Sequence, residues 1–109
     1  MSISAFIPEP ADDAERQFHV PVAAEAFFAE SWEPPAEALG LKWVPLFSTG
    51  IEIEKQDLPE VLDELNRLKG WALEQAGGER MEKLLSRIEM LLTALPQMLQ
   101  RDGAVVYIG

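Results

Sequence analysis

The chain holds one histidine, His19, no cysteine, and nineteen aspartates and glutamates. A histidine can serve as a general base or a metal ligand near neutral pH. His19 has no second histidine and no Asp-x-His spacing to support either role. Facing carboxylates can share acid and base duties, but spacing along the chain does not show which ones face each other. The metal-binding patterns Glu-x-x-His, His-Glu-x-x-His and Asp-x-Asp-x-Asp-Gly are absent. The glycines at 40, 50, 70, 77, 78, 103 and 109 form no phosphate-cradling loop, and Ser48 is not in a Gly-x-Ser-x-Gly elbow. Without cysteine there is no thiolate nucleophile, thiolate metal site or disulfide. The expectation is a protein that is not an enzyme and carries no cofactor or metal.

The distribution of acid points elsewhere. Between Pro8 and Gly40 stand Glu9, Asp12, Asp13, Glu15, Glu25, Glu30, Glu33 and Glu37 against a single base, Arg16. This stretch carries most of the chain's net charge of -10. A single-sign patch repels itself and is useful for steering a basic partner; as a solvated face it would only keep the chain soluble. Phe27, Phe28 and Trp32 lie among these acids, and aromatics rimmed by charge have the composition of an interface centre. Core packing would claim one or two of the three. The expected partner-binding residues are Glu25, Glu30, Trp32, Glu33 and Glu37, with Glu52 and Glu54 as a second patch. Trp71 and Leu73 lie beside the apolar stripe of their helix and hint at another contact surface. A face this acidic disfavours direct nucleic-acid binding, which needs cations for the phosphates.

The elements that must position these residues follow from periodicity. Ile3, Ala5 and Ile7 alternate with polar neighbours and predict a first strand, closed by Pro8-Glu9-Pro10. Residues 11–15 read as a polar loop. Phe18, Val20 and Val22 predict a second strand, which Pro21 confines to an edge. Ala23 to Ser31 reads as a short helix broken at Trp32-Glu33-Pro34-Pro35. Ala36 to Gly40 reads as one turn closed by glycine. Leu41 to Phe47 reads as a strand covered on both faces, with Pro45 arguing for an edge or a bulge, and turns through Ser48-Thr49-Gly50 into a strand at Ile51–Glu54.

Asp57-Leu58-Pro59-Glu60 has the residues of a capped helix start. Leu58, Val61, Leu62, Leu65, Leu68 and Ala72 then form one stripe, stopped by Gly77-Gly78. A second helix runs from about Glu79 to Arg101, with Pro96 expected to bend its last turn. Asp63–Arg67 and Glu79–Lys83 are expected helix-surface pairs. Ala104 to Ile108 predicts a final interior strand. The fold class is α+β in two layers. A four- to five-stranded, mostly antiparallel sheet packs on a C-terminal antiparallel helical hairpin, with the last strand following it.

The 109 residues are expected to form a single domain, residues 1–109, with an apolar share of 48% that supports one core. No apolar run reaches the roughly 18–20 residues of a membrane span. Met1-Ser2-Ile3-Ser4-Ala5 lacks the basic and apolar regions of a signal peptide, so a cytoplasmic location is expected.

A small, cysteine-free, acidic α+β domain with aromatics in its acidic part resembles the bacterial immunity proteins, cognate inhibitors of contact-dependent or type VI secretion toxins. Phe47-Ser48-Thr49-Gly50-Ile51-Glu52-Ile53, then Asp57-Leu58-Pro59-Glu60-Val61-Leu62-Asp63-Glu64-Leu65 and Trp71, is similar to a hairpin-then-helix pattern of such families, over about a quarter of the chain. The resemblance implies occlusion of a basic protein toxin, a nuclease among the candidates, by a monomer or homodimer. Two alternatives remain open: an acidic nucleic-acid mimic that inhibits a DNA-handling protein, and a structural or assembly subunit using the helical hairpin.

Overall fold

The computed structural model describes residues 2–109. Four strands form one antiparallel sheet: β1 (Ser2–Phe6), β2 (His19–Ala24), β3 (Ile51–Glu54) and β4 (Val105–Ile108), in the spatial order β2-β1-β4-β3. Each strand alternates, and the inward side chains Ile3, Ala5, Val20, Ile53, Val106 and Ile108 are buried. The sheet is therefore apolar on one face and open on the other, an arrangement that antiparallel sheets tolerate. β2 is an edge strand, as Pro21 requires. The β1–β2 register shifts between Ile3 and Ser4, where Ile3 pairs with Ala23 and Ser4 with Pro21, leaving Val22 as the extra residue of a bulge. Both devices blunt an exposed edge.

Over the inner face lie the helices α4 (Leu58–Leu73) and α5 (Glu79–Met98), joined through residues 74–78. Val61, Leu65, Leu68 and Ala72 of α4, together with Leu84, Ile88, Leu91 and Leu95 of α5, are buried in one cluster with the sheet. The two-layer α+β architecture, the helical hairpin and the interior last strand agree with the periodicity. The stripe of α5 is used inside the domain, and Pro96 falls in its final turn. Neither expected i,i+4 ion pair forms. Arg67 instead donates to the Leu39 carbonyl at 2.7 Å, and Lys83 lies 4.9 Å from the centre of the Phe27 ring. Lys69 of α4 pairs with Glu89 of α5 across the hairpin.

Four local expectations are corrected. Residues 11–15 are not simply a loop, because α1 (Asp13–Gln17) begins there. Asp12 caps it by accepting the Glu15 N–H at 2.8 Å.

The second correction concerns the prolines. The helix entered at α2 (Glu25–Phe27) does not break at Trp32. It continues as a π-helical turn, Phe28–Trp32, and then as α3 (Glu33–Ala38). Pro34 and Pro35 open α3 and supply no N–H to the turn before it. Each proline ring would crowd the carbonyl four residues back. Widening the preceding turn, with the Glu33 N–H bonded to the Phe28 carbonyl, accommodates them. The glycine stop is as expected. Gly40 adopts φ +70, and the Leu41 N–H returns to the Ala36 carbonyl at 2.9 Å.

Third, Leu41–Phe47 is not a strand and there is no hairpin at Ser48–Gly50. Val44–Ser48 is a 3-10 helix. The chain is turned out of a strand by Glu64, 7% exposed, whose carboxylate accepts the N–H groups of Lys42, Trp43 and Val44 at 2.9, 2.9 and 3.1 Å. Those donors are unavailable to a sheet ladder, and Pro45 has none. The hairpin of the immunity-protein-like pattern is thus replaced by a 3-10 turn followed by β3. Fourth, Asp57 does not cap α4 with its side chain. It closes a box one turn earlier, around the 3-10 turn Lys55–Asp57, by accepting the Glu54 N–H at 2.9 Å.

Candidate functional site

The helical run from Glu25 to Ala38 is amphipathic. Phe28, Trp32 and Ala36, spaced by four, are fully buried, while Glu25, Glu30 and Glu37 are exposed and Glu33 is half-buried. Phe28 and Trp32 stack at 5.6 Å and 18°, and Phe47 packs against Trp32 at 6.5 Å. This places the acids outward and two of the three aromatics in the core. Trp32 is among the expected contact residues, but at 0% exposure it is a core residue and not a surface anchor. Phe27 is the half-buried member of the trio.

Two residues of a basic row on α5 reach this run, and the third reaches β2. Arg80, Lys83 and Arg87, spaced by three and four, share one helix face. The Arg80 guanidinium lies 3.7 Å from the Glu30 carboxylate, Lys83 sits over Phe27, and Arg87 donates to the Pro21 carbonyl at 3.3 Å. The acidic segment is therefore partly neutralised from within. Glu25 and Glu37 have no cation within ion-pair distance among the described residues. Glu33 accepts only the Ser48 hydroxyl, at 3.5 Å.

The upstream acids have structural roles. Glu15 is 7% exposed and takes a two-pronged ion pair from Arg101, at 2.7 and 2.9 Å, plus the Ala11 N–H at 3.0 Å. The hydrogen bonds from Arg101 and then from Ala11 hold its carboxyl down at about 2, from an ordinary 4.5. Asp13 pairs with Arg16 on the surface of α1.

Glu52 and Glu54 lie on the open face of the sheet, since they alternate with the inward Ile53. Glu52 pairs across with Tyr107, which packs on Phe6 at 5.4 Å. One hollow is lined by this aromatic pair with Pro8 and Glu52, and a second, also bordered by Pro8 and Glu52, is lined by Arg101 and Val105. Glu54 is engaged in the box with Asp57. The two acidic patches thus stand on different faces, because the helical run belongs to the layer on the inner side of the sheet. His19 is exposed on the edge strand β2, and no group of three or more ligand-type side chains is placed for a metal among the described residues.

Sequence spacing did not reveal a groove between the Glu25–Ala38 run and the connected end of the helical hairpin. Glu30, Ser31, Pro34, Trp71, Arg80 and Met81 line it, and its volume is about 240 Å³. The only advance sign was Trp71 standing off the stripe of α4. Leu73, two residues on, is 63% exposed. Compared with protein-family models, curated proteins and solved structures, the chain matches none. Among the described residues no helix is long and apolar enough to cross a membrane.

Proposed function

We propose that the chain is a non-enzymatic, protein-binding inhibitor that acts as an immunity protein. It would neutralise a basic protein toxin by covering the toxin's active or substrate-binding site. The observation that carries this reading is the segregation along the Glu25–Ala38 run, with acids outward and Phe28 and Trp32 inward. Glu25, Glu30, Glu33 and Glu37 form the contact face on this reading, and Glu52 and Glu54 a second one. Trp32 supports the face from beneath.

The mechanism is occlusion with electrostatic steering. A single-sign surface raises the encounter rate with a cationic cleft, and apolar contacts then slow release. A cleft built for phosphates is the natural target, because carboxylates on a rigid helix present anionic oxygens to the same cations. The inhibitor acts in the cytoplasm of the cell it protects.

The test is a tagged pull-down from the source cells, washed at low and high salt, with the triple variant Glu30→Lys/Glu33→Lys/Glu37→Lys beside the parent. The expected result is one dominant partner that survives high salt, is toxic by itself and is neutralised by the parent protein. The folded triple variant should associate at least about tenfold more slowly, since steering accounts for factors of that order. Protection left intact by the triple change would remove this face from the proposal. Many DNA-handling partners, all lost at high salt, would replace it with the nucleic-acid mimic.

A further inference from the structure

We infer that the open face of the sheet grips the basic partner, with one of the partner's cationic side chains seated on the Phe6–Tyr107 pair beside Glu52. This rests on the protein-binding reading above. It supplies the aromatic anchor that Trp32, being buried, does not.

The strand register builds the site. His19, Phe6, Tyr107 and Glu52 are successive partners across β2, β1, β4 and β3, so they form one row on the open face. Phe6 and Tyr107 are half-buried with ring centres 5.4 Å apart, and Glu52 is exposed. Directly opposed residues of an antiparallel pair hold their Cβ atoms about 4.5–5.5 Å apart, which sets Glu52 next to Tyr107. Both line one hollow with Phe6 and Pro8. The Tyr107 ring leans into the space that side chains at positions 50 and 109 would fill, because a Cβ added at Gly109 would stand 2.7 Å from it. The two glycines thus put no side chain over the ring.

Charge selects the occupant. Glu52 and Glu9, which border the adjoining hollow, are both exposed and have no cation within ion-pair distance among the described residues. The neighbouring cations are already engaged, Arg101 by Glu15 and Lys55 by Asp102. The chain makes the corresponding contact internally at Phe27, where Lys83 lies over the ring and Arg80 meets Glu30. At Phe6–Tyr107 the rings and the acid are present and the cation is left to a partner. A cation is drawn to an aromatic face, and exposed aromatics with a charged rim have the make-up of an interface centre. Nucleic-acid phosphates would be repelled by the same acids. A second copy would bring another net charge of -10 to an acidic face.

The test titrates a hexalysine peptide, and the same peptide with every Nζ acetylated, into the isotope-labelled protein at low salt. The ring signals of Phe6 and Tyr107 and the Glu52 amide report on the open face. The amides of Glu30, Glu33 and Glu37 report on the helical run. Hexalysine is expected to move the ring signals and the Glu52 amide more than the helical-run amides, and the acetylated peptide to leave the rings still. Tyr107→Leu keeps an apolar side chain and loses the ring, so it should weaken hexalysine binding about two- to fivefold, the advantage of a cation over an exposed ring. Tyr107→Phe should bind as the parent does, and Glu52→Gln should bind more weakly. Phe6→Leu removes the other ring and serves if Tyr107→Leu fails to fold.

Rings unmoved while the helical-run amides shift would overturn the inference. So would parent-like binding by folded Leu variants, or an acetylated peptide that moves the rings equally. Ring signals that change with protein concentration alone would give the face to a second copy instead. The two proposals fail separately. A toxin partner lost by the triple charge reversal but kept by Tyr107→Leu and Glu52→Gln would end the sheet-face inference and leave the inhibitor reading. A cation-seating sheet in a chain that neutralises no toxin would do the reverse.

Discussion

Glu64→Gln should destabilise the protein by more than its near-identical shape suggests. The two carboxylate oxygens serve three backbone donors. Oε1 accepts Trp43 and Val44 at 2.9 and 3.1 Å, and Oε2 accepts Lys42 at 2.9 Å. Glutamine retains one carbonyl oxygen, which can keep the Trp43 and Val44 bonds in neutral form. Its NH2 group then faces the Lys42 N–H, donor against donor. Bonds to a charged group contribute about 1.5–3 kcal/mol and neutral ones about 1, so one lost and two weakened come to at least about 2.5 kcal/mol. For a chain of this length that lowers Tm by at least roughly 10 °C. Glu64→Ala should cost at least as much, because the Val44 N–H lies on a fully buried residue and cannot reach water in exchange, whereas that of exposed Lys42 can. Urea titration followed by far-UV circular dichroism gives the free energy, and faster hydrogen exchange at the Val44 amide localises it. A loss below about 0.5 kcal/mol for the glutamine variant, the size of an ordinary surface change, would refute the claim that this carboxylate shapes residues 42–48.

Two other predictions concern stability. The Glu15 carboxyl is held at about 2 by Arg101, so its contribution is fully present above its ordinary value of 4.5 and is lost as pH falls through about 2. Glu15→Gln should therefore be less stable than the parent at pH 6, and the gap should close as denaturation is repeated towards pH 2; a gap independent of pH would contradict the pairing. Gly50→Ala should be strongly destabilising for two separable reasons, a φ of +105 and a Cβ placed 2.9 Å from Cζ of Tyr107. Combining it with Tyr107→Ala should recover the steric part and leave a backbone cost of about 1–2 kcal/mol, read from a double-mutant cycle in thermal melts.

Elements whose cause is local were legible in the sequence. Ile51–Glu54 is a strand that its alternation announces and Val105–Ile108 one that its short apolar run announces, and Leu58–Leu73 and Glu79–Met98 are helices because their stripes are long. What was hidden depends on partners far along the chain. Residues 41–47 have the composition of a buried strand, yet a carboxylate about twenty positions later takes their donors. Pro34-Pro35 is a reliable breaker for an α-helix, but a widened turn with the Phe28–Trp32 stack beneath it carries the helix through. The candidate site divides the same way. Its acids could be read directly, and their outward direction follows from helical spacing. That Trp32 turns in while Trp71 and Glu30 line one groove depends on how the run docks on α5, through the contacts of Glu30 with Arg80 and Phe27 with Lys83.

The position of β4 sets the order in which the sheet can be assembled. β1 and β2 are near in sequence and can pair early. β3 has one strand neighbour, and that neighbour is the last strand in chain order, wedged between β3 and β1. The Ser4 and Gly109 backbones exchange hydrogen bonds at 3.3 and 3.1 Å, so a closing contact joins positions more than a hundred residues apart. Such long-range pairing slows folding, because the loop must close before the contact rewards it. During synthesis β3 waits as an unpaired strand until residues 105–108 emerge. Removing those few residues would not shorten the sheet by one strand; it would divide it into a hairpin and a lone segment, exposing Ile53 and the edge of β1 together.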